Sequence, residues 1–226
     1  VTEEEWLTGT GDLLTNVIDK ASDRKLRLFA CACCRRVGDY LWSGSLGQAA
    51  ILTAEKFADG ITTTRELDAL QQLVEGQLEL YPEEPVYEPS YWVCARNIRE
   101  AVERSALYAA NLSTLSIAPN ADYFDARCKK RWDEELAAQV SLLRDIFGNP
   151  FRSQPTVDSS WLSWNDGVIP KLAQAIYDDR AFDRLPILAD ALEEAGCTNA
   201  DILNHCRQPG EHVRGCWVVD LVLGKS

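Results

Sequence analysis

The sequence predicts an all-α fold: a single irregular multi-helix globule of roughly nine helices, with short helices in its C-terminal part. Three observations carry this. Apolar residues recur at helical spacing along most of the 226 residues. No run alternates convincingly with period two, as a half-buried strand would. The periodic stretches open at serine or threonine and close at glycine or proline, the residues that cap and stop helices.

Taken in order, a short acidic lead precedes SDRKLRLFACACCRRVGDYLW. Ser22 is its N-cap, and Leu26, Phe29, Cys33 and Val37 recur at helical spacing, giving one helix of about five turns. SLGQAAILTAEKFADG forms a second helix ended by Gly60, and TTTRELDALQQLVEG a third that starts at a threonine cap with Glu66 nearby. In YPEEPVYEPSYW the prolines 82, 85 and 89 exclude continuous helix and favour an extended connection. The chain thus divides into an N-terminal helical part (1–80), a proline-rich linker or loop (81–90) and a C-terminal helical part (91–226), the two parts sharing one core. From Tyr91 to about Ile117 the pattern is helical again until Pro119 stops it, and a further long helix ends at Gly148 after LLRDIFG, the two forming an antiparallel pair. GNPFRSQPTVDSSWLSWNDG is rich in turn formers, and Phe151, Trp161, Leu162 and Trp164 pin it to the core. Phe147 and Phe151 both insert there, which tethers Arg152 near carboxylates of the last four helices. Those four are VIPKLAQAIYDD, FDRLPILADALEEAG, NADILNHC and EHVRGCWVVDLVLG. The cysteine-bearing helix near the N-terminus is expected to pack directly on the last helix, so that Cys33 and Cys216 share one core.

A net charge of −12 argues against general nucleic-acid binding, because most of the surface repels a polyanion. No window approaches a membrane span, and the start VTEEEWLTG lacks the basic-then-apolar pattern of a signal peptide. The expected address is the cytoplasm, where the eight cysteines stay reduced, as small buried hydrophobes first, metal ligands next and disulfides last.

HCRQPGEHVRGCW holds both histidines of the chain and two of its cysteines. If EHVRGCW is helical, His212 and Cys216 lie at i,i+4 on one face, and Cys206 reaches the same place across the Pro209-Gly210 turn. A tetrahedral zinc needs a fourth ligand, from His205 or from Cys31 or Cys34 of the CACC run. The competing reading is packing. Glu211 begins a last helix whose Cys216, Trp217, Val218, Leu221 and Val222 form a buried face, and Gly215 admits another backbone close by. Cys33 or Cys34 beside Arg35 and Arg36 offers a thiol site, against which stand their mid-helix position on an apolar stripe and the arginines' use as ion pairs. Asp178, Asp179 and Asp183 near Arg180 and Arg184 could bind Mg²⁺ or serve acid-base work, or else cap the helix that begins near Phe182. Arg35, Arg36, Asn149, Arg152, Asp183, Arg214 and Trp217 are the remaining candidates for an interaction or structural motif. No phosphate loop, nucleophile elbow or H-E-x-x-H motif nominates a catalytic residue.

EEEWL, ASDRKLRLFACACCRR, RDIFGNPFR and the long C-terminal stretch ending in HCRQPGEHVRGCWVVDLVLGK together resemble a large set of planctomycete proteins of the Gemmata type. The resemblance covers both ends of the chain, leaves residues 60–139 outside it, and implies a source and no mechanism. PILADALEEAGCTNADIL is distantly similar to the short repeat-companion domain of the same bacteria, although Ala189, Asp190 and Ala191 stand where that domain has alanine-aspartate-tryptophan. That likeness implies an accessory helical module. The composite expectation is a cytosolic, non-enzymatic helical protein that binds a protein partner or acts as an accessory module and needs no cofactor. Two alternatives stay open: a zinc-binding protein with a structural site near the C-terminus, and an enzyme that uses the segment 178–184.

Overall fold

The computed structural model describes residues 1–10, 12–38, 45–81, 88–115 and 126–226. Every described element is helical, and there are more of them than expected. The acidic lead is itself two short helices. In α1 (Glu3–Thr8) Thr2 and Glu5 form a capping box, and α2 (Leu13–Ile18) starts on the Asp12 side chain. α3 (Asp23–Arg36) begins where expected, with Ser22 Oγ accepting from Lys25 N–H at 3.3 Å, but ends at Arg36. Residues 39–44 of the expected longer helix lie outside the described residues. α4 (Ser45–Ala58) closes at Gly60, whose φ of +69° is left-handed. α5 (Thr64–Leu80) carries the capping box of Thr63 and Glu66, and it runs through Gly76 to Leu80. Nothing stands within 4 Å of a Cβ built on Gly76, so this glycine faces open space inside a helix. Pro82 and Pro85 fall outside the described residues, as does Pro119. The end of the expected linker is instead helical, since α6 spans Glu88–Cys94 with Pro89 in its first turn, where a missing N–H costs nothing.

The stretch 91–117 is broken at residues 95–97 into α6 and α7 (Ile98–Leu115). A residue distant in sequence stabilises the break. Arg27 of α3, 4% exposed, drives its guanidinium into the end of α6 and donates to the carbonyls of Val93 (2.6 Å) and Ala95 (3.1 Å). It thereby satisfies acceptors that a continuous helix would have used itself. α8 (Ala126–Phe147) packs on α7, with Gln139 Nε2 donating to Ala106 O at 3.0 Å, and stops at Gly148 with φ +65°.

Two apolar clusters result. The first gathers Trp6, Leu13, Phe29, Ile51, Val74, Val102, Leu142 and Ile146 with Cys31, Cys33 and Cys34, so it draws on both sides of residues 81–90. The second contains Ile169, Ile176, Leu185, Leu188, Cys206, Cys216, Trp217 and Val218. It is built by α10 (Val168–Asp179), α11 (Leu185–Glu194), α12 (Ala200–Arg207) and α13 (Trp217–Leu223), with Trp161, Leu162 and Trp164 of the preceding segment against it. That segment includes a further short helix, α9 (Ser159–Ser163).

The seam between the clusters is polar. Asp220, 1% exposed, accepts both Arg24 Nη1 (2.7 Å) and Nη2 (3.0 Å), with Lys25 Nζ at 3.0 Å. Arg24 also meets Asp59 at 3.1 Å and the Tyr177 hydroxyl oxygen at 2.9 Å, and that hydroxyl donates to Asp59 at 2.7 Å. Burial disfavours the charge on Arg24, but the hydrogen bond and charge of Asp220 outweigh it and raise its pKa. Glu55 is shared by Arg35 (2.7 Å) and Arg180, the latter held at a left-handed φ of +55° at the end of α10. Arg214 adds Nε–H and Nη2–H to the carbonyls of Tyr177 and Asp178.

Cys33 and Cys216 therefore belong to different clusters, which corrects the expectation of one shared cysteine-lined core. α3 meets the C-terminal unit through its first turns, by Arg24, Lys25 and Leu28. Gly215 (φ +94°) is required there, because a Cβ would stand 3.2 Å from the Leu28 side chain. Phe147 packs against the first cluster with its ring 6.3 Å from that of Phe29, but Phe151 is 39% exposed. Asn149 explains the difference. Its Oδ1 accepts from Phe151 N at 2.9 Å, closing a tight turn that leaves the ring outside. Arg152 does reach Asp201 of α12 (3.0 Å), and also Glu3 of α1 (2.9 Å), which Asn149 Nδ2 joins at 2.8 Å.

Two outcomes are expected in urea unfolding. Arg24→Ala leaves Asp220 with Lys25 alone and Asp59 with the Tyr177 hydroxyl and Lys225, and costs about 2–3 kcal/mol, less than an ion left wholly unpaired. Phe151→Ala costs about 1–2 kcal/mol, below the roughly 3–5 of a fully buried ring, because the ring is already partly exposed.

Candidate metal centre

At the edge of that seam the chain brings together one donor atom each from Asp145, His205, His212 and Cys216, all within 4.8 Å of one another. Asp145 lies in the last turn of α8 and His205 in the last turn of α12. His212 stands on the non-helical run 208–216, and Cys216 is the N-cap residue of α13. His212 Nδ1 is 2.6 Å from Asp145 Oδ1, His205 Nε2 is 3.1 Å from the same oxygen, and His205 Nε2 is 3.2 Å from Cys216 Sγ. The other Asp145 oxygen accepts Val213 N–H at 2.9 Å. His205 packs its ring 5.0 Å from that of His212 and 5.1 Å from Trp217. Asp145, His205 and Cys216 are buried, and His212 is partly buried, with its side chain 7% exposed.

The electrostatics are those of a carboxylate shared by two imidazoles. Burial works to raise the Asp145 pKa, but the hydrogen bonds and charge of His205 and His212 prevail and hold it below the ordinary carboxylate value. Burial works against charge on His212 too, and the hydrogen bond and charge of Asp145 overcome it, so the His212 pKa is raised. The Gln208 carbonyl adds to that shift by its closeness, yet His212 Nε2 makes no hydrogen bond of acceptable geometry and is buried without a partner. Burial, then Asp145, push the Cys216 thiol well above its usual value, against the opposing pull of the Val219 and Val218 N–H groups. Without a cation the sulfur keeps its proton, whereas a coordinated metal deprotonates a thiol outright.

Three of the sequence-nominated ligands converge, His205, His212 and Cys216, but by another route than expected. The run EHVRGCW is not helical, and α13 starts at Trp217. His212 and Cys216 are therefore brought together by an extended segment and a turn at Arg214-Gly215, while Glu211 reaches out to Arg36. Cys206 is buried against the second cluster, its thiol pushed up to about 12 by burial, and it is not one of the four. Neither are Cys31 and Cys34, whose thiols face the carbonyls of Ile51 and Pro89 in the first cluster. The residue that sequence reasoning missed is Asp145. Its signal is positional: Leu142, Asp145 and Ile146 share one helical face, so an acid interrupts an apolar stripe.

The remaining candidates are structural. Cys33 and Cys34 are fully buried, and burial raises both thiols well above the usual value despite Arg35 and Arg36. Those guanidiniums are engaged by Glu55 and by Glu135, the latter 3.0 Å from Arg36. A thiol site there is excluded by the same burial that a nucleophile must escape. Asp178, Asp179 and Asp183 are exposed, and Arg180 turns away from them to Glu55. Asp183 sits in a 3₁₀ turn (Phe182–Arg184), and no side chain caps α11, so the capping expectation fails. Trp217 lies beneath Gly148, where a Cβ would stand 3.4 Å from the indole.

No protein-family model, curated protein or solved structure matches the chain. Among the described residues, no helix is long and apolar enough to cross a membrane.

Because all eight cysteines are buried and free, the folded protein is expected to show no rapidly reacting thiol toward DTNB, and eight after denaturation. A single fast thiol in the folded state at neutral pH would show that one of these sites opens.

Proposed function

We propose that the chain is a zinc-binding helical protein whose metal site is structural, and that it acts as an accessory or protein-interaction module. The observation that carries the zinc reading is the convergence of Asp145, His205, His212 and Cys216 donor atoms within 4.8 Å in the protein interior. The donor set is mixed nitrogen, sulfur and carboxylate oxygen, which suits Zn²⁺ and not the all-oxygen preference of Mg²⁺ or Ca²⁺. Four protein donors fill a tetrahedron, leaving no position for water or substrate, so the site suits structure and not catalysis. Asp145 comes from the last turn of α8, beside residues of the first cluster, and the other three ligands come from the second unit. A metal here ties the two together.

The module reading draws on the same arrangement. The enzyme alternative loses its support, since Asp178, Asp179 and Asp183 are exposed and Arg180 is engaged elsewhere. A net charge of −12 favours protein over nucleic-acid partners. The planctomycete resemblance belongs to the same proposal: all four ligands fall within RDIFGNPFR and the C-terminal stretch that carry it.

The test is elemental analysis of protein purified without a histidine tag, with thermal unfolding before and after a strong chelator. One zinc per chain is expected. Its removal should lower Tm by roughly 10–20 °C, taking a loss of about 5 kcal/mol at about 2–4 °C per kcal/mol for a chain of this size. Asp145→Asn and Cys216→Ser should each abolish stoichiometric zinc and the response to chelator. Protein that holds no zinc and melts identically with chelator would make the four residues a hydrogen-bonded polar cluster of the core.

A further inference from the structure

One residue outside the ligand set meets the outer nitrogen of His205 and acts on the His212 ring as well. Gln208 ends α12, its N–H donating to Asn204 O at 2.8 Å, and Pro209 follows it. Its side-chain amide lies 3.3 Å from His205 Nδ1. Its main-chain carbonyl acts on the His212 ring, whose Nε2 is buried without a hydrogen-bond partner.

A neutral imidazole has one nitrogen with a lone pair and one N–H. A ring that gives its lone pair to a metal must therefore carry hydrogen on the far nitrogen, and that hydrogen needs an acceptor if it is buried. In the site, His205 offers Nε2 and His212 offers Nδ1 toward Asp145 and Cys216. Metal at those atoms turns His205 Nδ1 and His212 Nε2 into donors, and the first of them faces the Gln208 side chain. The Gln208 amide presents its Oε1 in place of its NH₂ by a half-turn of its last torsion, and its carbonyl is already an acceptor. By contrast, Asp145 and Cys216 are oriented by main-chain N–H groups, of Val213 for the carboxylate and of Val219 and Val218 for the sulfur.

We propose, resting on the zinc reading, that Gln208 is the positioning residue of the metal site, fixing the tautomer and orientation of its histidine ligands. Zinc at the site would move the hydrogen of each ring from His205 Nε2 and His212 Nδ1 to the far nitrogen by exchange with solvent, release the Cys216 thiol proton to solvent, and turn the Gln208 amide oxygen to His205 Nδ1–H. The end of α12 is thereby set by whether the metal is present.

The experiment compares wild-type protein with Gln208→Leu, which removes the side-chain acceptor, and Gln208→Glu, which keeps one. Zinc affinity is measured by competition with a chromophoric chelator, and thermal unfolding of each metal-free protein reads folding separately. Gln208→Leu should bind zinc about 10- to 100-fold more weakly, the range typical of lost partners to metal-bound histidine. Gln208→Glu should return to within several-fold of wild type, and the metal-free melting of both should match wild type. Wild-type affinity in Gln208→Leu would overturn the role of Gln208 and leave the zinc site standing. Equal weakness in Gln208→Glu would overturn the acceptor argument. A wild-type protein that takes up no zinc would overturn the site itself, and this inference with it.

Discussion

Charge buried along one helix is the constraint on which the rest of this structure depends. α3 places four arginines where water is largely excluded, and a buried guanidinium is tolerated only with its donors satisfied. Each recruits a different element. Arg24 takes Asp220 of α13 and Asp59 beyond α4, and Arg27 takes the carbonyls at the end of α6. Arg35 takes Glu55 of α4, and Arg36 takes Glu135 of α8. Apolar burial drives collapse without direction, but these pairings accept few relative placements of the helices, because a misplaced helix leaves an ion unpaired. α3 thereby orients both clusters.

The candidate metal centre borders the same seam. On one side the two units are joined by Arg24 and Lys25 reaching Asp220. On the other, Asp145 of α8 meets His205, His212 and Cys216. Both junctions answer the same problem, a carboxylate withdrawn from water between two packed units. Asp220 is neutralised by fixed cations of α3, whereas Asp145 has two imidazoles, whose charge depends on what they bind. Arg36 connects the two regions, since it also pairs with Glu211 in the loop that carries His212.

Where sequence reasoning succeeded, the controlling contact was local. Ser22, the Thr63–Glu66 box, Gly60 and Gly148 mark their helix ends through contacts three or four residues long. Where it failed, a distant residue decided. Arg27 holds the break in the expected helix over 91–117. The pull of Arg35 and Arg36 on the neighbouring thiols is outweighed by burial, which the periodicity of one helix does not reveal, and Glu55 and Glu135 hold those charges. The expected i,i+4 pairing of His212 and Cys216 fails in an instructive way: the residues do meet, but in a segment that is not helical.

The sequence alone determined the helical class, several helix starts and the concentration of chemistry in HCRQPGEHVRGCW. Periodicity, caps and composition act within a turn or two of the chain, and they survive in any fold that buries the apolar stripes. Only the tertiary structure decided that Asp145, sixty-seven residues from His212, completes the site, and that Cys206 does not. Which donors converge depends on where whole helices dock, and docking is set by pairing buried charges across the seam, an interaction with no short-range trace in the sequence.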